Sequence, residues 1–243
     1  MANVAAFFDL DGTLYREGLI TEMFKKMVKY EIIPPERWYN EVRPYYIQWD
    51  RRQGDYDSYL LKMVEIYVDT IKGFQKSNLS YIAEKVVEQK GDRVYTYTRD
   101  RIRWHKNKNH KLIIISGSPS SLVEQMAEKY GFTDYIGSKY VYDKKTMRFT
   151  GEVIPMWDGK SKSEAIKKLV DRYDISLKDS FAYGDTSGDF EMFKSVGYPS
   201  CINPTKELLN MIVEDKALKD KINVIVERKD VIYNIDIENI QFK

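Results

Sequence analysis

The stretch VAAFFDLDGT, residues 4–13, decides the fold. Its apolar part is short and ends abruptly at Asp9, a pattern typical of a buried strand that stops at polar residues. Asp9 and Asp11 occupy alternate positions, so an extended backbone points their carboxylates the same way. Gly12 then permits a close turn, and Thr13 adds a hydroxyl donor. Since neighbouring carboxylates repel each other unless a cation lies beside them, this pattern favours a functional site over a solvated turn.

A second strand end carries a hydroxyl group. Residues 112–115 are apolar and lead into Ser116 and Gly117, and we expect Ser118 to cap a helix that has Pro119 in its first turn. A strand tip followed by a helix start offers a hydroxyl and backbone N–H groups to an anion. Alone, the same residues also make an ordinary turn.

A third strand end repeats the acidic design. Residues 181–183 are apolar and lead into Gly184 and Asp185, while Asp189 lies four residues on and is expected one turn inside the next helix. Both carboxylates can then face one cavity. Strands that alternate with helices and end in polar residues predict an α/β fold with a parallel, Rossmann-like sheet. Ligands bind such sheets at the carboxyl ends of the strands.

One block interrupts the alternation. Residues 15–91 contain three apolar stripes at helical spacing, and we predict an all-helical cap domain inserted into a core formed by 1–14 and 92–243. A hairpin is expected within 140–151. After Asn203 we expect a helical part and then alternating strand residues.

Two lysines lie near a predicted helix that begins at Ser161 and ends at Tyr173. Phosphoryl transfer needs a cation that neutralises charge on the transferring oxygens, and Lys160 and Lys162 are the candidates.

Composition excludes several other functions. The formal net charge is +2, which gives no support to a nucleic-acid or anionic-membrane partner. The longest uncharged run, 112–123, has 12 residues and is too short to span a bilayer, and no signal peptide is evident. Cys201 is the only cysteine, which fits a reducing, cytoplasmic setting. With only His105 and His110 as imidazoles but many carboxylates, Mg²⁺ is a better expectation than Zn²⁺.

In this order, D-x-D-G-T, a strand-end Ser, a Lys before a helix and G-D-x-x-x-D resemble the four motifs of the haloacid dehalogenase-like superfamily. The helical insertion resembles that of its phosphoserine phosphatase-like branch. The resemblance implies a Mg²⁺-dependent phosphatase that hydrolyses a small phosphorylated metabolite through an aspartyl phosphate. Dehalogenase chemistry is disfavoured because those relatives lack the second acid, which is present here as Asp11.

The resemblance also assigns roles. Asp9 would be the nucleophile, Asp11 the general acid and base, and Lys162, preferred over Lys160 for its spacing to the helix, a phosphate-binding cation. Ser116 would donate to the phosphoryl oxygens. The metal site would be formed by Asp9, Asp11 through its carbonyl, Asp185, and Asp189 as ligand or orienting group. Further substrate contacts are expected from Thr13, Gly117, Ser118 and Arg51.

The chain departs from phosphoserine phosphatases at two positions. Gly18 stands where they usually carry a glutamate that binds the serine amine, and Gly188 where they tend to have asparagine. Aromatic and basic residues of the insertion either line the site for a larger or carboxylated phosphomonoester or pack the insertion's own core. They are Trp38, Tyr39, Arg43, Tyr45, Tyr46, Trp49, Arg51, Arg52 and Tyr56.

Two other functions stay open at this point: a phosphotransferase that uses an acceptor other than water, and a non-catalytic Mg²⁺- or phosphate-binding regulator on the same fold. The complete carboxylate set argues against the regulator. The sequence determines neither the substrate nor the oligomeric state.

Overall fold

The computed structural model describes residues 2–240, except the side chain of Asp57. Within these residues eight strands form one sheet, with the spatial order β4-β3-β2-β1-β5-β6-β7-β8. The strands are β1 (Ala5–Phe8), β2 (Lys111–Pro119), β3 (Asp134–Tyr142), β4 (Phe149–Ile154), β5 (Phe181–Gly184), β6 (Tyr198–Ile202), β7 (Asn223–Arg228) and β8 (Val231–Ile235). Neighbouring strands are parallel, except that β3 pairs antiparallel with β4 and β7 with β8. The predicted α/β class with a largely parallel sheet is confirmed.

Helices connect these strands. They are α1 (Leu19–Lys29), α2 (Pro35–Arg37), α3 (Arg43–Asp50), α4 (Tyr56–Ile71), α5 (Lys76–Lys90), α6 (Thr96–Asn107), α7 (Ser120–Tyr130), α8 (Gly159–Tyr173), α9 (Phe190–Ser195), α10 (Lys206–Glu214) and α11 (Lys216–Lys219). A π-helical turn, Trp38–Val42, joins α2 to α3, and 3₁₀ turns lie at Leu177–Asp179, Ser187–Asp189 and Ile237–Asn239. Among the described residues, no helix is long and apolar enough to cross a membrane.

The central strands of the sheet are buried on both faces, which explains their continuous apolar runs. In β1, Ala6 and Phe8 pack on one face with α5, α6 and α7, whereas Ala5 and Phe7 pack on the other with α8 to α11. Successive side chains of a strand point to opposite faces of the sheet, which accounts for this alternation.

The order of the strands determines where a ligand can bind. From β1 the chain first builds β2 and β3 on one side, and later builds β5, β6 and β7 on the other. Helices that follow the two neighbours of β1 diverge to opposite faces, which leaves a crevice at the carboxyl ends of β1, β2 and β5. Asp9 and Asp185 directly follow β1 and β5, and Ser116 lies in the last four residues of β2.

The insertion is helical, since residues 15–91 contain α1 to α5 and contribute none of the described strands. Its apolar side chains and those on one face of the sheet form one continuous hydrophobic cluster. The division into core and cap at 15–91 therefore stays a prediction.

Local boundaries differ from the sequence prediction in three places. Ser118 and Pro119 do not start a helix: β2 continues to Pro119, which pairs with Ser138 of β3, and α7 begins at Ser120. The proline explains this, because it disfavours helical backbone in the residue before it. Asp189 lies in a 3₁₀ turn ahead of α9 and not inside a helix.

The third difference concerns the start of α8. The helix begins at Gly159, two residues before the predicted Ser161, because the Asp158 side chain caps it by accepting a hydrogen bond from the Ser161 N–H at 2.8 Å. Lys160 and Lys162 therefore both lie within the first turn of the helix. The predicted end at Tyr173 is correct.

The predicted hairpin is present as β3 and β4, and the tail forms α10, α11 and the β7–β8 hairpin. Gly131, predicted to stop a helix, follows α7 with a φ of +63°, a left-handed conformation that suits glycine. Helix α6 was not predicted, and α3 lies in the insertion that was predicted to be helical but outside its three apolar stripes. Both are rich in aromatic and basic residues and lack a clean apolar stripe.

Candidate active site

A buried lysine lies between two carboxylates at the centre of the crevice. Lys162 Nζ donates hydrogen bonds of 2.6 Å to Asp9 Oδ1 and 2.6 Å to Asp189 Oδ1. The lysine is 2% exposed and Asp9 is 6% exposed, so water screens these charges weakly. Lys160 is exposed in the same helical turn. Because Asp158 caps α8, the first turn of the helix is oriented so that Lys162, and not Lys160, faces the strand ends.

Asp189 is held by donors from several parts of the chain. While Oδ1 accepts from Lys162, Oδ2 accepts from the backbone N–H groups of Asp185 at 3.0 Å and Thr186 at 3.1 Å. The close approach requires Gly184, because a Cβ there would lie 2.4 Å from the Asp189 carboxyl carbon. With both oxygens engaged, Asp189 is suited to orient Lys162 and the loop after β5.

Asp185 faces the loop after β1. Its Oδ1 accepts a hydrogen bond of 3.0 Å from Thr13 Oγ1, and Thr13 is fully buried. Gly12 has a φ of +82°, and a Cβ at this position would lie 2.0 Å from Asp185 Oδ2. Both the backbone conformation and the close contact therefore require glycine in the D-x-D-G-T motif.

Asp11 points toward the helical insertion. Its Oδ1 accepts a hydrogen bond of 2.6 Å from the Leu19 N–H at the start of α1, and its Oδ2 accepts one of 2.5 Å from Ser118 Oγ. Ser116, on the neighbouring strand and 1% exposed, accepts at Oγ from the Ser118 N–H. The two strand-end segments are thereby tied together beside the insertion, and Ser118 reaches Asp11 although it caps no helix.

The site carries excess negative charge. Asp9, Asp185 and Asp189 offer ligand atoms that all lie within 4.8 Å of one another, and Lys162 is the one cation that contacts them within the described chain. Burial raises the pKa of Asp9 to about 8, even though the charge of Lys162 lowers it. Burial also raises the pKa of Asp185 well above its ordinary value, and that of Asp11 above its own. A further cation would relieve this repulsion.

Two carboxylate oxygens are open to such a cation. Asp9 Oδ2 and Asp185 Oδ2 accept no hydrogen bond from any residue that the structure describes, while the other oxygen of each carboxylate is taken. Hard oxygen donors of this kind suit Mg²⁺. The Asp11 carboxylate is outside this group because it is directed to Leu19 and Ser118.

Hydroxyl groups from the insertion surround Gly18, next to Asp11. A Cβ at Gly18 would lie 2.9 Å from Tyr56 Oη and 3.1 Å from Thr21 Oγ1, so the two hydroxyls fill the space that a side chain would need. Burial raises the pKa of Tyr56 and that of Tyr59, and the nearby charge of Asp11 raises the pKa of Tyr56 further. The Thr21 hydroxyl lies close enough to those of both tyrosines to lower the pKa of each in part. Sequence reasoning missed Thr21 and Tyr59, because nothing near them in the chain marks this convergence.

Other residues of the insertion lie elsewhere. Trp49 stacks on Tyr59 with ring centres 5.8 Å apart and also packs against Tyr46. These aromatic residues therefore pack against one another, which agrees with the alternative that they form the insertion's own core. Arg51 follows α3, and its exposed side chain makes no hydrogen bond or ion pair with the described residues. No such contact joins Arg51 to the carboxylates, so its role in substrate binding stays a prediction.

Trp157 is a residue at the site that sequence reasoning missed. A Cβ at Gly117 would lie 2.9 Å from Trp157 Cβ, and one at Gly188 would lie 2.4 Å from the Trp157 carbonyl oxygen. The segment before α8 therefore passes closely over both glycines, which accounts for glycine at position 188. The Trp157 ring is 47% exposed.

Similar proteins are found among bacterial sequences. The chain is 27% identical over 213 residues to the inhibition of morphological differentiation protein of Streptomyces azureus, covering 86% of this chain and 74% of that one. It is 26% identical over 147 residues to the phosphoserine phosphatase SerB1 of Mycobacterium tuberculosis, covering 59% of this chain. The match spans 47% of that relative, which is less than half of its length.

Solved structures share the fold. A Bordetella pertussis protein of unknown function superposes with a TM-score of 0.69 at 18% identity, covering 88% of this chain and 96% of that chain. A substrate-bound phosphoserine phosphatase superposes with a TM-score of 0.60 at 19% identity, covering 95% of each chain. A sequence profile of the haloacid dehalogenase-like hydrolases matches residues 6–194, most of the chain, and the chain therefore belongs to that family.

Proposed function

We propose that the protein is a Mg²⁺-dependent phosphatase that hydrolyses a small phosphomonoester through an aspartyl phosphate, an acyl phosphate formed on Asp9. The observation that carries this proposal is the buried Lys162 held between Asp9 and Asp189, beside a second set of open carboxylate oxygens. A carboxylate nucleophile and a phosphate dianion repel each other, so attack requires cationic groups at this position.

The residues divide the chemistry between them. Asp9 attacks phosphorus, the bond to the leaving oxygen breaks, and water then hydrolyses the aspartyl phosphate. Asp11 lies on the side of the insertion and protonates the leaving oxygen, and burial supports this role because it raises the pKa of the acid. In the second step Asp11 takes a proton from the attacking water. Lys162 and the hydroxyl of Ser116 balance charge on the phosphoryl oxygens.

The residues present fit a divalent cation. Asp9 and Asp185 would hold it through their open oxygens, with the Asp11 carbonyl as a further ligand, while Asp189 orients Lys162. When bound, Mg²⁺ would offset the negative charge shared by the nucleophile and the phosphate. The site has three carboxylates and one lysine, so a divalent cation would balance the remaining negative charge.

The surroundings of Asp11 support an uncharged, hydroxyl-bearing leaving group. Gly18 offers no charged side chain, and the hydroxyls of Tyr56 and Thr21 occupy its place. A leaving group that departs past Asp11 therefore meets hydroxyl groups beside position 18, while the nearby carboxylates of Glu17 and Glu22 are paired with Arg93. This favours a polyol or sugar phosphate over phosphoserine, whose ammonium group would lack a carboxylate partner at position 18.

We expect hydrolysis of an aryl phosphate to require Mg²⁺ and to stop in chelator.

In thermal melts Mg²⁺ should stabilise the protein by about 2.7 kcal/mol at a hundredfold excess over Kd. The pKa of Asp185 is raised in the folded state, so above that pKa its charge lowers stability relative to a neutral residue. Without metal, Asp185→Asn should therefore be at least as stable as wild type, and it should lose most of the Mg²⁺ effect.

Asp171→Asn, an exposed acid on α8, serves as the matched control and should respond to Mg²⁺ as wild type does. Full turnover in chelator would refute the metal requirement. An Asp185→Asn protein that gains as much stability from Mg²⁺ as wild type would remove Asp185 from the metal site.

Replacing Tyr56 should alter substrate preference more than catalysis itself. Tyr56→Phe should reduce kcat/KM for sugar phosphates about tenfold, the worth of one hydrogen bond of about 1.4 kcal/mol, and leave hydrolysis of an aryl phosphate nearly unchanged. Tyr45→Phe, an exposed tyrosine of the insertion, is the control. Arg51→Ala tests the earlier prediction for Arg51. A preference that changes with Arg51→Ala but not with Tyr56→Phe would show that the hydroxyls near Gly18 do not select the leaving group.

A further inference from the structure

A second cavity lies on the face of the sheet that carries α6, with a volume of about 340 Å³. Its floor includes the first residues of β5, β6 and β7, whereas the carboxylates of the candidate active site follow the opposite ends of β1 and β5. The topology creates this opening. The helices that follow β5 and β6, α9 to α11, pack on the other face, so no described helix covers β6 to β8 beside α6. The volume suits a molecule of one or two rings.

Arg101 of α6 supplies a fixed positive charge to this cavity. Its Nε donates a 2.9 Å hydrogen bond to Tyr183 Oη, and its guanidinium lies 4.1 Å from the centre of the Trp104 ring. Both Nη groups are without a hydrogen-bond or ion-pair partner among residues 2–240, and the described lining contains no Asp or Glu. A guanidinium held in one orientation with two free N–H edges matches a carboxylate in a bidentate arrangement.

A stack of aromatic rings lies near this charge, with Phe181 between His110 and Tyr198. Phe181 and Tyr198 stack with ring centres 4.9 Å apart and planes 22° from parallel. Phe181 also lies 5.9 Å from the Arg101 guanidinium, and the Tyr198 ring is 52% exposed at the rim. Offset stacking of another ring on the exposed Tyr198 contributes about 0.5–1.5 kcal/mol beyond the area buried.

The opposite wall is polar and ordered by hydrogen bonds. Asn223 Nδ2 donates a 3.5 Å hydrogen bond to Ser200 Oγ, and the Tyr97 hydroxyl lies near Ser200. These groups retain further donor and acceptor capacity for a polar ring substituent. The cavity thus combines a cation without a counterion, an aromatic surface and a hydrogen-bonding wall.

We infer that this cavity binds a planar aromatic or heteroaromatic carboxylate, with the carboxylate on Arg101 and the ring stacked on the exposed Tyr198. The inference is independent of the proposed phosphatase activity, since it uses none of the residues at the carboxylate site. A non-planar carboxylate would lose the stacking contact, and an uncharged amide would lose the bidentate pair.

Calorimetric titration of the full chain with benzoate, 4-hydroxybenzoate and nicotinate tests the inference. We expect at least one of them to bind, and nicotinamide and cyclohexanecarboxylate to bind at least tenfold more weakly. Arg101→Gln should weaken binding at least tenfold. Arg103→Gln, an exposed arginine on the same helix, should not change it. If Arg101→Gln fails to fold, Tyr198→Ala replaces it, because this exposed ring can be removed without opening the core and should weaken binding at least fivefold.

Three results would overturn the inference. The first is no measurable binding of any planar carboxylate at millimolar concentration. The second is binding that inorganic phosphate displaces and that Arg101→Gln leaves unchanged, which would assign the ligand to the phosphatase site. The third is a dimer in sedimentation velocity that Arg101→Gln disperses, which would make this surface an interface between two copies of the chain.

Discussion

Asp9→Asn is expected to reduce turnover of an aryl phosphate by about 10⁴- to 10⁶-fold, the scale on which removal of a nucleophile acts in other covalent enzymes. The amide has nearly the shape of the carboxylate, so the strand end and the neighbouring loop keep their geometry. An amide oxygen is a poor nucleophile and cannot form the acyl phosphate. Substrate binding should persist, because Lys162 and Asp185, the proposed metal ligand, remain and one negative charge facing the phosphate is gone.

Single-turnover kinetics with and without Mg²⁺, together with calorimetric titration of the substrate, would measure both effects. Asp171→Asn is again the matched control, as it changes an exposed acid on α8 and should leave turnover unaltered. Turnover within tenfold of wild type in Asp9→Asn would contradict the assignment of the nucleophile. Binding lost together with turnover would indicate that the substitution had disturbed the site as a whole.

The sequence predicted the carboxylate positions well because they depend on short-range rules. An apolar run of the length of a strand, followed by an acid, puts that acid at the carboxyl end of a parallel strand. Asp9 and Asp185 are placed in this way, and the interval of four residues brings Asp189 back toward Asp185. The same rules predicted the sheet and the helical nature of the insertion.

The parts that the sequence did not predict depend on contacts between distant segments. Tyr56 reaches Gly18 across 38 residues, and Trp157 reaches Gly117 across 40, and neither pairing follows from local spacing. The start of α8 is different, since Asp158 three residues before Ser161 is a recognisable capping pattern. Attention to that cap predicts which of the two lysines turns toward the strand ends.

The largest effect on stability is expected from Lys162→Met. Methionine retains much of the packing of the lysine stem but removes the charge that bridges Asp9 and Asp189. Breaking a buried ion pair by removing one partner costs about 3–5 kcal/mol, because the remaining charges stay buried without compensation. Removal of this one donor should also lower turnover about 10²- to 10³-fold. Chemical denaturation in chelator at pH 8 gives the free energy of unfolding, and activity with Mg²⁺ gives the rate.

Lys160→Met is the matched control, since Lys160 lies in the same helical turn and is exposed, and its cost should stay within about 0.5 kcal/mol.

The penalty for Lys162→Met should also depend on pH. Burial raises the pKa of Asp9 and the lysine charge lowers it, so without the lysine the carboxyl retains its proton to higher pH. An acid whose folded pKa lies above its unfolded value loses stability as pH rises through the folded pKa. The penalty should therefore be smaller at pH 5 than at pH 8. A larger penalty at pH 5, or an equal cost for Lys160→Met, would show that Lys162 does not compensate these buried acids.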